Sequence, residues 1–257
     1  QMASSVGTAF RTQLFGWIAE HEADFYASEP AAEVGLLYSP RNRDLLDTLS
    51  GQPYAVQDSL HFCAYRSAAR DLYLAHVPFD VVLDTDTTRF CRYRVLIAPR
   101  LELMSDATAN ALWDFRGKLV TLGANGIYDE WLIQRGMPAL QGREQVQVAL
   151  PPTNLAWAAD TGLLATTAPA SLQIGLRRVA AGWVLVFVNT APTPVLPFTV
   201  TLRATAHLGA TANLCVFGAR SVSLPVVSQG QRATIQVNVT CDIDSLALLT
   251  VSCEPSP

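Results

Sequence analysis

The feature that most constrains this chain is the order of segments between residues 79 and 131. Phe79-Asp80-Val81-Val82-Leu83 is a strand-length apolar run, and Arg94-Val95-Leu96-Ile97-Ala98-Pro99 is a second. A helix-length segment, 105–115, follows, then Gly117 and a third run, Lys118-Leu119-Val120-Thr121-Leu122-Gly123. Apolar runs that do not alternate are what strands covered on both faces require. Ser105 and Asp106 provide an N-cap and an acidic first turn, and Gly117 sits where a left-handed helix terminator is expected. Strand, helix and strand at this spacing predict a βαβ unit with a right-handed crossover.

The surrounding sequence extends the same sheet. Residues 33–38 read as its first strand, 39–43 as a polar loop, and 58–76 as a helix capped by Asp58 or Ser59 and stopped by Pro78. The inner face of that helix is expected at Leu60, Cys63 or Ala64, Ala68 and Leu72. At least four mostly parallel strands result, a doubly wound α/β sheet of the flavodoxin type over residues 31–150. Ahead of it, Val6, Phe10, Leu14, Trp17, Ile18, His21 and Phe25 recur at helical spacing, so residues 1–30 are read as an amphipathic helix that packs on a sheet, lies at an interface or completes a larger upstream domain.

Beyond Gly142 the pattern changes. Pro151-Pro152 marks a break, residues 151–170 read as a linker, and 171–257 as a small antiparallel β-sandwich. Its strands are expected at 171–177, 183–189, 195–202, 213–217, 233–239 and 246–251, separated by turn residues. Trp183, Phe187, Phe198 and Phe217 fall in core-like runs.

Composition narrows the function. A net charge of −4 and the lack of any Lys/Arg cluster argue against nucleic acid. The longest apolar runs are strand-length, which argues against a membrane span. No basic segment leads into an apolar one at the N-terminus, so a cytoplasmic location is expected; Gln1-Met2 reads as a remnant ahead of a start methionine. The five cysteines form no C-x-x-C pair and no zinc-spaced cluster, so neither metal nor cofactor is expected. Reduced, buried thiols are the expectation, with a hairpin pairing of Cys241 and Cys253 as the alternative. Asn238-Val239-Thr240 is a formal glycosylation acceptor read as strand sequence.

Several segments together carry a resemblance. These are Trp17-Ile18-Ala19-Glu20-His21-Glu22, Val34-Gly35-Leu36-Leu37-Tyr38-Ser39, Ala75-His76-Val77-Pro78-Phe79-Asp80-Val81-Val82 and Tyr93-Arg94-Val95-Leu96-Ile97-Ala98-Pro99. In this order they resemble the region after the catalytic barrel of family 42 β-galactosidases, where a class I glutamine-amidotransferase-like trimerisation domain precedes a small β domain. The resemblance implies self-association, as a trimer, and a part in walling a neighbouring subunit's sugar pocket. It implies no catalytic residue here, because the acid/base and nucleophile glutamates of that family lie on the barrel.

The residues themselves agree. Glycoside hydrolysis needs two carboxylates roughly 5–10 Å apart across one bond. The pairs Asp84/Asp86 and Asp129/Glu130 are close neighbours in turns and read as solvated or capping groups. An amidotransferase needs a nucleophilic Cys on the turn after a central strand, and that turn here reads Gly123-Ala124-Asn125-Gly126; His207, the only downstream histidine, falls in the β region. His61 and Cys63 stand about 200° apart on their helix and cannot share a proton, so Cys63 reads as core.

The carboxyl edge of the sheet is the generic ligand position. Its candidate ligand or interface residues are Arg41, Asn42, Arg43, Asp84, Asp86, Arg100, Asn125, Tyr128 and Trp131, with Ser39, Thr85 and Glu102 beside them. Arg41 and Arg43 suit a carboxylate, and Tyr128 and Trp131 suit a carbohydrate or a subunit interface. Each is also readable as an ordinary loop residue. The expectation is a non-catalytic oligomerisation module of a β-galactosidase-like glycoside hydrolase. The alternatives are a small amidotransferase-like or hydrolase enzyme at the sheet edge, or a carbohydrate-binding module built on the sandwich.

Overall fold

The computed structural model describes residues 5–49, 60–148, 155, 159–180, 182–195, 197–203, 208–238 and 246–253. The chain forms two compact units, one of Ala32–Leu163 and one of Gln1–Ala31 with Leu164–Pro257.

The N-terminal segment holds α1 (Ser5–Glu20) and α2 (Glu22–Tyr26). The expected single helix is interrupted at His21, whose backbone leaves the helical region and whose ring Nδ1 lies 2.9 Å from the Trp17 carbonyl. Its apolar stripe packs on the C-terminal strands. Trp17 and Phe25 lie against Val184, Cys215 and Leu248, and Phe10 and Trp17 meet the Phe217 ring edge-on at 5.8 and 5.9 Å. The short strand β1 (Glu29–Pro30) then joins the edge of the antiparallel sheet, where Arg177 donates to the Ser28 carbonyl at 2.6 Å. The side chain of Val6 lies outside the described residues.

The α/β unit runs β2 (Val34–Tyr38), α3 (Pro40–Leu49), α4 (Leu60–Leu74), β3 (Phe79–Leu83), β4 (Val95–Pro99), α5 (Asp106–Asp114), β5 (Lys118–Leu122) and β6 (Val146–Val148). All five strands are parallel, in the order β3-β2-β4-β5-β6. Alternation along each strand feeds two cores. Leu36, Ile97 and Val120 face Ala68 and Leu72 of α4, while Leu37, Leu96 and Leu119 face Ala109 and Leu112 of α5. Both faces of the central strands are therefore covered, as their unbroken apolar runs demand. At the edge the expectation fails: Val81 and Leu83 of β3 are about half exposed.

Three local readings are corrected. The polar loop at 39–43 is the start of α3, with Pro40 at the first helical position and the Asn42 N–H donating to the Ser39 hydroxyl at 3.2 Å. On α4 the buried positions are His61, Ala64, Ala68 and Leu72, so Leu60 and Cys63 point outward and Cys63 is not a core cysteine. That helix ends at Leu74, and His76 just beyond it takes the left-handed region (φ 55°), ahead of Pro78; Asp58 and Ser59, its expected caps, lie outside the described residues.

Gly117 also plays a different part. Helix α5 starts as expected, with the Thr108 N–H on the Ser105 hydroxyl at 3.1 Å, but it stops at Asp114 with Phe115 extended. Gly117 is not left-handed; a Cβ there would run into the Arg94 carbonyl and the Phe115 ring. Gly117→Ala is therefore expected to lower stability by about 2 kcal/mol, read from the denaturation midpoint. A change below about 0.5 kcal/mol would mean that β4 and β5 can part freely at this end.

The second unit continues with β7 (Leu164–Thr166), β8 (Leu172–Val179), β9 (Gly182–Asn189), β10 (Phe198–Arg203), β11 (Leu208–Val216), β12 (Val222–Gln229), β13 (Arg232–Val237) and β14 (Leu246–Cys253). With β1 they make one antiparallel sheet of nine strands, ordered β1-β8-β9-β14-β11-β12-β13-β10-β7. It curls at β12, whose first half pairs with β11 and whose second half pairs with β13. Pro225 falls at the changeover, where a missing ladder donor costs least. The sequence reading missed β12 because its side chains are mostly exposed, and missed β7, which lies in the expected linker and pairs with β10. Trp183, Phe187 and Phe198 are buried as expected, and Phe217 is half-buried. Cys241 and the side chain of Cys253 lie outside the described residues, as do Val239 and Thr240 of the glycosylation motif.

Candidate functional site

In the parallel sheet β3 lies on one side of β2 and β4 on the other, so the chain changes direction between β2 and β4. In open α/β sheets that reversal leaves a crevice at the carboxyl ends of the two strands, and ligands settle there. Here the crevice is stitched by the protein's own side chains.

Asn42, in the first turn of α3 and fully buried, makes the first stitch. Its Nδ2 donates to the Leu103 carbonyl at 2.7 Å, and its Oδ1 accepts from the Leu103 N–H at 2.8 Å. The same amide nitrogen donates to the Ser39 hydroxyl at 2.9 Å. The segment after β2 is thereby locked to the segment after β4.

His61, the first buried position of α4, makes the second. The Ser39 N–H donates to its Nε2 at 3.0 Å, so the ring proton is on Nδ1, which donates to the Pro99 carbonyl at 2.7 Å. Burial drives its pKa down to about 4; backbone hydrogen bonds at Pro99 and Arg100 only partly oppose that, and the charge of Arg43 adds to it. The imidazole is neutral and both nitrogens are occupied, so it has no lone pair to offer a substrate.

Asp84 follows β3 and is buried. Desolvation pushes its carboxyl above the usual range, against the Ser39 hydroxyl bond and the charge of Arg41. Its backbone is held as well, the N–H donating to the Tyr38 carbonyl at 3.1 Å and the carbonyl accepting from Thr108 Oγ1 at 2.9 Å. Asn125 completes the edge. Its Oδ1 accepts from the Leu101 N–H at 2.9 Å and its Nδ2 donates to the Gly123 carbonyl at 3.0 Å. Gly123 and Gly126 around it have positive φ (65° and 67°), the conformation that made the glycines of this turn necessary.

The remaining candidates lie outside this network. Arg41 reaches the Glu130 carbonyl at 3.3 Å. Arg43 is held by Asp44 at 2.5 Å and by the Tyr38 hydroxyl at 2.8 Å, and Asp44 raises the guanidinium's proton affinity further. Asp86 faces Arg89 at 3.7 Å and does not join Asp84. Arg100 takes a left-handed backbone (φ 51°) and pairs with Glu102. Tyr128 bridges the backbone of Leu103 and Gln134, and Trp131 stands in solvent. Of the residues named from the sequence, Asn42, Asp84 and Asn125 are brought to one buried edge. His61, its central member, was missed; the 61/64/68/72 spacing on α4 was the signal that could have found it.

Among the described residues no group of three or more His, Cys, Asp or Glu could hold a metal ion, and no helix is long and apolar enough to cross a membrane. His207 lies outside the described residues.

No protein-family model and no curated protein matches this chain. Solved structures do. Gan42B, a GH42 beta-galactosidase from G. stearothermophilus, is 14% identical with a TM-score of 0.56, over 87% of this chain and 40% of its own. The beta-galactosidase from Bacillus circulans sp. alkalophilus is 14% identical with a TM-score of 0.58, over 89% of this chain and 42% of its own. Alpha-L-fucosidase isoenzyme 2 from Paenibacillus thiaminolyticus is 12% identical with a TM-score of 0.64, over 94% of this chain and 51% of its own. At these identities the likeness is one of fold. The chain spans between two fifths and about half of the length of these glycosidases.

Proposed function

We propose that this chain is a non-catalytic, self-associating module of a glycoside hydrolase of the family 42 β-galactosidase type. The observation that carries the reading is the stitched crevice. Where a doubly wound enzyme opens to its substrate, His61 and Asn42 tie β2 to β4 through backbone hydrogen bonds of 2.7–3.0 Å. A site whose donors and acceptors are spent on the protein's own backbone suits a scaffold. The likeness to β-galactosidases and a fucosidase over part of their length supports the same reading. The strand order, with the first strand between the second and third, supports a flavodoxin-like, amidotransferase-like sheet lacking a nucleophile.

Self-association, as a trimer, is the work proposed for it. Trp131, Ile133 and Met137 are 76%, 63% and 68% exposed on one loop, apolar surface of the kind that anchors interfaces. Light scattering over a dilution series is expected to give a mass three times that of the chain. Trp131→Ser is expected to reduce it, and neither protein should hydrolyse nitrophenyl galactosides or fucosides. A concentration-independent monomer would overturn the assembly role, and turnover by the purified chain would overturn the non-catalytic one.

A further inference from the structure

A second polar surface on the α/β unit adjoins the stitched edge and shares Gly123 and Asn125 with it. Val146 and Val148 face the α4 core, so Gln147, and Gln145 two residues before it, share the opposite face of the β6 segment. Gln147 is in register with Thr121 of β5. There the two glutamines, with Gln141, line a cleft of about 280 Å³ beside Ile127 and Leu140. Ligand pockets run upward from roughly 300 Å³, so this one suits a small molecule. Among the described residues none of its lining side chains is ionisable. Gln145 Oε1 is buried without a hydrogen-bond partner among the described residues.

A buried, unsatisfied acceptor is costly unless something occupies it. A carboxamide offers a donor and an acceptor together, which is also what a hydroxyl group does. A lining that combines amides with aliphatic side chains matches a ligand that carries both hydroxyls and C–H groups, and an uncharged lining does not compensate an ion. We propose that this cleft binds a small neutral polyhydroxy compound of monosaccharide size. The proposal does not depend on the assembly role.

Saturation-transfer NMR on the full chain with D-galactose, D-glucose and L-fucose tests it, with D-galacturonate and D-glucosamine as charged counterparts. At least one neutral sugar is expected to bind saturably and at least fivefold more tightly than its charged counterpart. Gln145→Leu, of similar volume, is expected to weaken binding about tenfold. If that variant does not fold, Gln147→Leu, on the exposed side of the edge strand, is expected to weaken it severalfold with an unchanged melting curve. No saturable neutral sugar, equal binding of charged sugars, or affinity unmoved in every folded variant would each overturn the proposal.

Discussion

Replacing Asn42 by alanine is expected to lower the stability of the α/β unit by about 4 kcal/mol. The amide is fully buried and holds both backbone groups of Leu103, at 2.7 and 2.8 Å. Alanine leaves a buried N–H and a buried carbonyl unpaired, each at a penalty of about 1–3 kcal/mol, and removes the bond to Ser39 as well. Asn42→Asp tests the same contact differently, because an aspartate keeps the acceptor for the Leu103 N–H and turns a repelling oxygen on the Leu103 carbonyl. Urea midpoints for the two variants provide the measurement. A loss below about 1 kcal/mol for alanine would mean that water enters the crevice and that β2 and β4 are not locked at this end.

The second large effect is with pH. An unfolded chain has His61 near 6.5, whereas burial holds it near 4 in the folded protein. Between those values the unfolded state takes up a proton that the native state refuses, so stability falls as the solution is acidified from pH 6.5 to 4. The full extent is about 3 kcal/mol at 1.36 kcal/mol per unit. A protonated ring would also turn its Nε2–H against the Ser39 N–H that donates to it at 3.0 Å. Asp84 works in the opposite sense: its carboxyl is raised, so the folded state binds that proton more readily and gains at the acid end. His61→Gln should remove the histidine contribution alone. Denaturation midpoints of wild type and variant are expected to converge as the pH falls from 6.5 to 4, and curves parallel throughout that window would sink the assignment.

The sheet was legible because its chemistry is local. Val95 to Pro99 is apolar at every position, and a strand of that kind can exist only between two covering layers. The candidate edge was legible in part, since the loops after parallel strands lie at one end and Asn42, Asp84 and Asn125 fall in them. His61 was not, for a helical reason. Residues 60–64 offer two neighbouring apolar phases, one through Leu60 and Cys63 and one through Ala64. Only the position of α4 against β2 and β4 selects the phase that buries the histidine. The start of α3 was misread because the charged run Arg41-Asn42-Arg43 masked a Ser-Pro start signal at 39 and 40.

By itself, then, the sequence determined the α/β-then-β order, the helical stripe of residues 10–25, the Ser105 cap and the turn around Asn125, all set by neighbours within a few positions along the chain. Tertiary structure alone decided that the N-terminal helix joins the C-terminal strands, that Gly117 answers to the carbonyl of Arg94, and that β12 serves both halves of the curled sheet. It also decided that a buried imidazole and a buried amide close the crevice. Those outcomes depend on which surfaces meet across tens of residues, and periodicity records which face of an element is apolar, not what will cover it.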